Sequence, residues 1–95
     1  MKDLCLTQYT EKIAPMVFWE NRRQYGKWGV QDHEPSEWLM FTTEELGELA
    51  EAIAEYQYRG GLVENVVKEA IQVATLSLKI AEMFNALPVE KDKEL

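Results

Sequence analysis

Apolar residues recur every three or four positions through almost all of this sequence, and this spacing is typical of amphipathic helices. One such stripe runs over residues 35–58 and another over residues 62–86. A third runs over residues 4–25 and contains Pro15, which should kink that helix or divide it into two pieces. No segment alternates apolar and polar residues as a half-buried strand does. The pattern therefore predicts an all-α fold, a helical bundle.

Glycines separate the three stripes. We expect Gly26 and Gly29 to end the first helix, and Gly60 and Gly61 to end the second. Between them, the segment 26–36 reads GKWGVQDHEPS and has the composition of a loop.

Two starts compete for the second helix. Pro35 suits the first turn of a helix, whereas Thr42 and Glu45 have the spacing of a capping box. The apolar stripe already includes Trp38 and Leu39, so the sequence favours the longer helix from about residue 35 to residue 58.

The chain is 95 residues long, which is enough for a single domain over residues 1–95 in which about 88–95 form a charged tail. A chain of this size buries roughly 60–65% of its unfolded surface, so its core is thin. The last helix is apolar around more than half of its circumference, and we therefore expect a homodimer or higher homo-oligomer. Its main stripe consists of Val63, Val67, Ala70, Ile71, Ala74, Leu78 and Ala81.

Composition limits the partners and the compartment. The net charge of -7 argues against binding to nucleic acid. Cys5 is the single cysteine and the N-terminus lacks the features of a signal peptide, so we expect a cytoplasmic protein. No apolar run approaches the ~20 residues that span a bilayer, and no membrane association is expected.

Negative charge is concentrated on the second helix. Residues 43–58 contain no lysine or arginine, although like charges three or four positions apart cost a few tenths of a kcal/mol per pair. A solvated acidic face is the simple interpretation. However, Glu45 borders the apolar stripe formed by Leu46, Leu49, Ala50 and Ile53, and Glu48 lies farther round the helix. Because they are three positions apart, their carboxylates emerge on one side, within reach of one ion. Residues 44–55 contain five glutamates in all, namely Glu44, Glu45, Glu48, Glu51 and Glu55.

The third helix supplies a possible partner for these carboxylates. On a helical wheel Glu69 lies among apolar residues, away from a polar side that includes Thr75 and Lys79. A carboxylate in such surroundings costs several kcal/mol unless it is paired or bound to a metal. Gln72, one turn further on, adds an oxygen donor, and four oxygen ligands are typical of Mg²⁺ or Mn²⁺. Spacing alone leaves open a structural ion pair between Glu69 and an arginine of the first helix, such as Arg22 or Arg23.

The sequence EELGE at 44–48, followed by the pair Glu69 and Gln72, resembles the E-E-x-x-E … E-x-x-D signature of MazG-like all-α nucleoside triphosphate pyrophosphohydrolases. The similarity extends over residues 9–87, and GELAEAI is its most distinctive part. It departs from the signature at Gln72, where the family usually has Asp.

The resemblance implies a four-helix-type core, often completed by dimerisation. It implies that Glu45, Glu48, Glu69 and Gln72 bind Mg²⁺, with Mn²⁺ as an alternative. The reaction would hydrolyse a nucleoside triphosphate to a monophosphate and pyrophosphate, in the manner of a nucleotide-pool house-cleaning enzyme. Glu44 or Glu48 would orient or deprotonate the attacking water. The alternative is a non-catalytic helical interaction module that retains the fold with a weakened metal site, of which Gln72 would be the mark.

Four further residues are candidates for substrate binding. Trp28 is a better candidate for stacking on a base than Trp38, which lies on the core stripe. Lys79 and Lys27 are candidates for phosphate contacts, although a solvated lysine is an equal interpretation of Lys79. His33 is the single histidine, and in a loop it is more often a surface or capping group than a functional one.

Overall fold

The computed structural model describes residues 5–85, and within that range the regular secondary structure is helical, without strands. This confirms the predicted all-α class. A π-helical turn, Tyr9–Ile13, leads into helix α1, Ala14–Trp28. Helix α2 follows at Pro35–Tyr58 and helix α3 at Val63–Asn85. Pro88 and the charged tail lie outside the described residues.

Pro15 divides the first helical stripe, as expected. The N–H groups of Lys12 and Ile13 both bond to the carbonyl of Gln8, at 2.9 and 3.2 Å. The regular α-helix begins at Ala14, so Pro15 occupies its first turn, a position that suits proline. The prediction that Gly26 ends this helix is wrong. The helix continues to Trp28 and ends at Gly29, whose φ of 71° relieves the steric cost that other residues would incur there.

Helix α2 has the longer of the two predicted extents. Pro35 is its first residue, and the capping box is formed by Glu34 and Glu37. The Glu37 carboxylate accepts a hydrogen bond of 2.9 Å from the N–H of Glu34. Thr42 does not cap a helix, because its hydroxyl donates to the carbonyl of Trp38, 2.8 Å away, within the helix.

The helices α2 and α3 form an antiparallel hairpin, and their interface is the most extensive in the described chain. The turn is tight: the N–H groups of Arg59 and Gly61 both bond to the carbonyl of Glu55, each at 2.9 Å. Gly60 has a φ of 74°, and a Cβ on Gly61 would lie 2.9 Å from the Cβ of Glu55. Both glycines are therefore required by the backbone. Helix α1 packs mainly against α3.

The buried core is small. Among the described residues its apolar members are Trp38, Ile71 and Leu76, and Gln24 and Thr75 are buried with them. The prediction of Thr75 on a polar side of α3 is wrong: it is 2% exposed, and its hydroxyl bonds to the carbonyl of Ile71 at 2.8 Å. A short side chain that satisfies its own hydroxyl can be buried at little cost.

Several predicted core positions lie at the surface of this single chain. Leu46 and Ile53 of α2 are 53% and 39% exposed, and Val67 and Leu78 of α3 are 40% and 45% exposed. The apolar pattern is real, but the described part of the chain leaves these side chains about half-exposed.

Candidate metal centre and adjoining cavity

The α2–α3 hairpin brings three of the predicted ligands together. One carboxylate oxygen from each of Glu45, Glu48 and Glu69 lies within 4.8 Å of the other two. Glu45 and Glu69 are half-buried and Glu48 is exposed. The three-residue spacing of Glu45 and Glu48 places both on the side of α2 that faces α3, where Glu69 meets them.

Gln72 lies beside this cluster, one turn after Glu69. Oriented with its nitrogen toward the carboxylates, its amide donates to Glu69 Oε1 at 3.0 Å and to Glu45 Oε2 at 2.7 Å. Turning the amide over presents its oxygen to the same carboxylates instead. The fourth predicted ligand is thus positioned with the other three.

Electrostatics favour a cation among these groups. Partial burial raises the pKa of Glu45, and the negative charges of Glu48 and Glu69 and a hydrogen bond with Glu69 raise it further. The donor set consists of three carboxylates and an amide oxygen, which are hard ligands of the kind that Mg²⁺ and Mn²⁺ prefer. A divalent cation would remove the mutual repulsion, so the residues present fit such an ion.

The alternative role for Glu69, an ion pair with an arginine of α1, does not occur between the described residues. Arg23 instead forms a two-point contact with Glu20, from Nε to Oε1 at 2.9 Å and from Nη2 to Oε2 at 2.7 Å. The guanidinium of Arg22 lies over the ring of Phe18, 5.9 Å from its centroid.

The remaining glutamates of α2 lie on either side of the cluster. Glu44 faces a cavity next to Glu45 and Gln72. Glu55 forms an ion pair with Arg59 at 2.8 Å. A second cavity, of about 300 Å³, is lined by Glu48, Glu51, Ala52, Glu55, Leu62, Asn65, Lys68 and Glu69. The carboxylate cluster therefore lies between two cavities.

The cavity beside Glu44, here called the aromatic cavity, has a volume of about 280 Å³. Helices α1, α2 and α3 and the loop before α2 all contribute to it. Trp28, the predicted stacking residue, is half-exposed at its edge, whereas Trp38 is buried and forms part of its wall. Its lining residues are Arg23, Gln24, Trp28, Gln31, Trp38, Phe41, Glu44, Glu45, Gln72 and Leu76.

The other predicted substrate-binding residues do not line the aromatic cavity. The Lys27 ammonium lies 4.7 Å from the centroid of the Trp28 ring. His33 packs edge-on against Trp38 and Phe41, at centroid distances of 5.0 and 5.1 Å. His33 and Lys79 both line a separate cavity of about 430 Å³, which Trp38 also borders.

Lys79 is held in place by the protein. Its ammonium donates to the side-chain oxygen of Gln24 and lies 5.7 Å from the centroid of the Trp38 ring. Burial lowers the pKa of Lys79, and the charge of Glu20 opposes this decrease. The sequence pattern places Lys79 on the polar side of α3, where a solvated side chain is expected. In the structure Lys79 is partly buried, because α1 packs against this side of α3.

The sequence pattern does not mark Gln24, Gln31 or Phe41 as residues near the site. Gln24 follows Glu20 by one helical turn, and this spacing could have indicated a hydrogen-bonded pair on one face of α1. Gln31 lies in a loop, where periodicity gives no information.

No family model matches the chain, and no curated protein or solved structure matches it significantly. Across residues 5–85, no helix combines the length and apolar character needed to cross a bilayer.

Proposed function

We propose that this chain is a Mg²⁺-dependent nucleoside triphosphate pyrophosphohydrolase of the MazG-like type. The observation that carries the proposal is the meeting of Glu45, Glu48 and Glu69 within 4.8 Å, with the Gln72 amide beside two of them. These are the residues that the E-E-x-x-E … E-x-x-D resemblance assigns to the metal, and they converge from two helices.

The three glutamates and Gln72 would hold the ion. When bound, Mg²⁺ neutralises phosphate charge and polarises the phosphorus that is attacked. Glu44 lines the aromatic cavity together with Glu45 and Gln72, which supports a role for its carboxylate in orienting a water or accepting its proton. Glu48, the most exposed member of the cluster, is the second candidate for this role.

The two cavities suggest an orientation for the nucleotide. Trp28, Trp38 and Phe41 make the first cavity suitable for a flat base, which aromatic side chains bind by stacking. The second contains Lys68 and Asn65, which can donate hydrogen bonds to terminal phosphates. The α-phosphate would then lie near the carboxylate cluster. An acidic protein can bind a polyanion in this way because divalent cations accompany it.

A panel of nucleoside triphosphates tests the proposal. The purified chain is incubated with each nucleotide and Mg²⁺ or Mn²⁺, and pyrophosphate release is measured. We expect release from at least one nucleotide and none after chelation of the metal. Release of orthophosphate alone would show a different reaction, and no release from any nucleotide would favour the non-catalytic interaction module.

We also propose that a second copy of the chain covers the exposed apolar faces. Leu39, Leu46 and Ile53 of α2 are seven residues apart and so form one stripe, and they are 59%, 53% and 39% exposed. Val67 and Leu78 expose a comparable stripe on α3. Packing two α2–α3 hairpins through these stripes would form a four-helix core.

A further inference from the structure

A hydrogen-bonded relay of four polar side chains connects α3 with the aromatic cavity. Its members are Lys79, Gln24, Glu20 and Arg23. The Lys79 ammonium donates to the Gln24 side-chain oxygen, and the Gln24 nitrogen donates to Glu20 Oε2 at 2.7 Å. Glu20 in turn holds the guanidinium of Arg23 at two points, 2.7 and 2.9 Å long. Gln24 is only 6% exposed, so the middle of this relay is shielded from water.

Arg23, at the end of this relay, is placed beside the aromatic cavity. Among the described residues that line the aromatic cavity, Arg23 alone carries a positive charge. Its guanidinium lies 6.0 Å from the centroid of the Trp28 ring. Glu20 occupies two of the five guanidinium N–H groups, which leaves three for another acceptor.

Arg23 and Arg22 are neighbours in sequence but differ in surroundings. Arg22 contacts the ring of Phe18 and does not line the aromatic cavity, whereas Arg23 lines that cavity together with Glu45. The fixed geometry of a two-point Arg–Glu contact reduces the freedom that a substrate contact must restrict.

We infer that Arg23 binds the nucleotide at this site and that Lys79 is a positioning residue that orients it through Gln24 and Glu20. The inference rests on the proposed function. It assigns the contact to the α-phosphate or the sugar-proximal part of the nucleotide, because Arg23 lies where the aromatic cavity meets the carboxylate cluster. It also gives Lys79 a role other than direct phosphate binding.

The test is the affinity for α,β-methylene nucleoside triphosphates, which cannot be cleaved between the α- and β-phosphates. The analogues of the four common bases, in ribo and 2′-deoxy forms, are titrated calorimetrically at saturating Mg²⁺. For the analogue that binds the unmodified protein best, Arg23→Ala should weaken binding about ten- to one-hundred-fold. Arg22→Ala, the matched control, should change it less than about twofold.

The positioning role is tested by a double-mutant cycle. Lys79→Met should weaken binding about three- to tenfold, and Lys79→Arg should restore most of the loss. In the Arg23→Ala background, Lys79→Met should have no further effect. Mg²⁺ affinity without nucleotide should be unchanged or higher in Arg23→Ala, because a nearby positive charge is removed, whereas a disturbed fold would lower both affinities.

Each other outcome contradicts a defined part. Equal losses for Arg22→Ala and Arg23→Ala would overturn the contact, and additive effects of Lys79→Met and Arg23→Ala would overturn the positioning role. If the unmodified protein binds analogues but Arg23→Ala binds them equally well, this inference fails and the proposed function stands. If the unmodified protein binds none, both fail together.

Discussion

Glu69 connects the packing of α3 with the proposed chemistry. Its carboxylate is half-buried, and one of its oxygens lies within 4.8 Å of carboxylate oxygens of Glu45 and Glu48. Among the described residues it forms no ion pair with an arginine. Carboxylates placed in this way lower the stability of the metal-free protein and provide ligands once a cation is present.

Glu69→Gln should therefore reduce Mg²⁺-dependent hydrolysis more than about a hundredfold, while the metal-free variant melts at the same or a higher temperature. Thermal melts of both proteins with and without Mg²⁺ provide the stability measurement. A lower melting temperature in both conditions would indicate that Glu69 is half of a structural pair.

Gln72 sets the charge of the proposed site. An amide oxygen carries only a partial charge, so Mg²⁺ should bind weakly without nucleotide and more tightly with it, because substrate phosphates supply the missing charge. Gln72→Asp should tighten Mg²⁺ binding in the absence of nucleotide by about tenfold. Calorimetric titration with Mg²⁺ decides the point, and equal affinities would show that Gln72 does not face the ion.

Glu20 should make stability dependent on acid pH. Burial by itself would raise its pKa, but hydrogen bonds from Arg23 and Gln24 and the charges of Arg23 and Lys79 lower it below 4.5. A lowered pKa in the folded state gives stability that is complete above the unfolded value and is lost as the pH falls through the folded value.

Glu20→Gln should lower the free energy of unfolding by about 1 kcal/mol at pH 7. We expect no larger effect, because Arg23 is half-exposed and water screens its charge. The difference in melting temperature from the unmodified protein should stay constant from pH 8 to pH 5 and shrink below pH 4.5. Melts over this pH range give the comparison. A difference that does not change with pH would mean that the Glu20 charge contributes nothing.

At the scale of elements, the glycines of the hairpin have opposite roles. Gly60 has a positive φ at the end of α2, which only glycine adopts without strain. Gly47 lies inside α2, and a Cβ there would meet nothing within 4 Å. In a helix interior the extra backbone freedom of glycine lowers stability.

We therefore expect Gly60→Ala to destabilise the protein by about 1 kcal/mol and Gly47→Ala to stabilise it by about 0.5–1 kcal/mol. For a domain of this size the melting temperatures should shift by about 4–8 °C per kcal/mol, in opposite directions. If Gly47→Ala also destabilises, the surface around Gly47 is occupied, and the second copy is the first group to examine there.

The helices were predictable because their signals are local. Pro35 and Gly60 mark the ends of α2 within one or two residues, and the spacing of Glu45 and Glu48 determines their shared face. The positions of Gln24 and Lys79 were not predictable, because they depend on how α1 packs against α3. Helical periodicity states which residues share a face but not which face another helix covers.

At the scale of the whole molecule, the apolar stripes of α2 and α3 are the largest difference between the predicted and the observed core. A buried Leu or Ile stabilises a protein by about 1.5–3 kcal/mol relative to an exposed one, so leaving both stripes in water is unfavourable. Association of two chains would recover this energy.

Leu46→Glu should convert the proposed dimer to a monomer at micromolar concentration, because it places a charge at the centre of the α2 stripe. Light scattering measures the mass. Val30→Glu, in a loop residue that is 82% exposed, is the control and should leave the dimer intact. A monomer for the unmodified protein would defeat the proposal for this interface.

We expect the short turn between α2 and α3 to influence the order in which the molecule assembles. Glu48 and Glu69, which meet across the hairpin, are 21 positions apart, whereas the contact of Gln24 with Lys79 joins residues 55 positions apart. Loop-closure entropy makes local contacts form sooner. We therefore expect the carboxylate cluster to form in a folding chain before α1 docks, and a cation bound there would stabilise the hairpin before the aromatic cavity has formed.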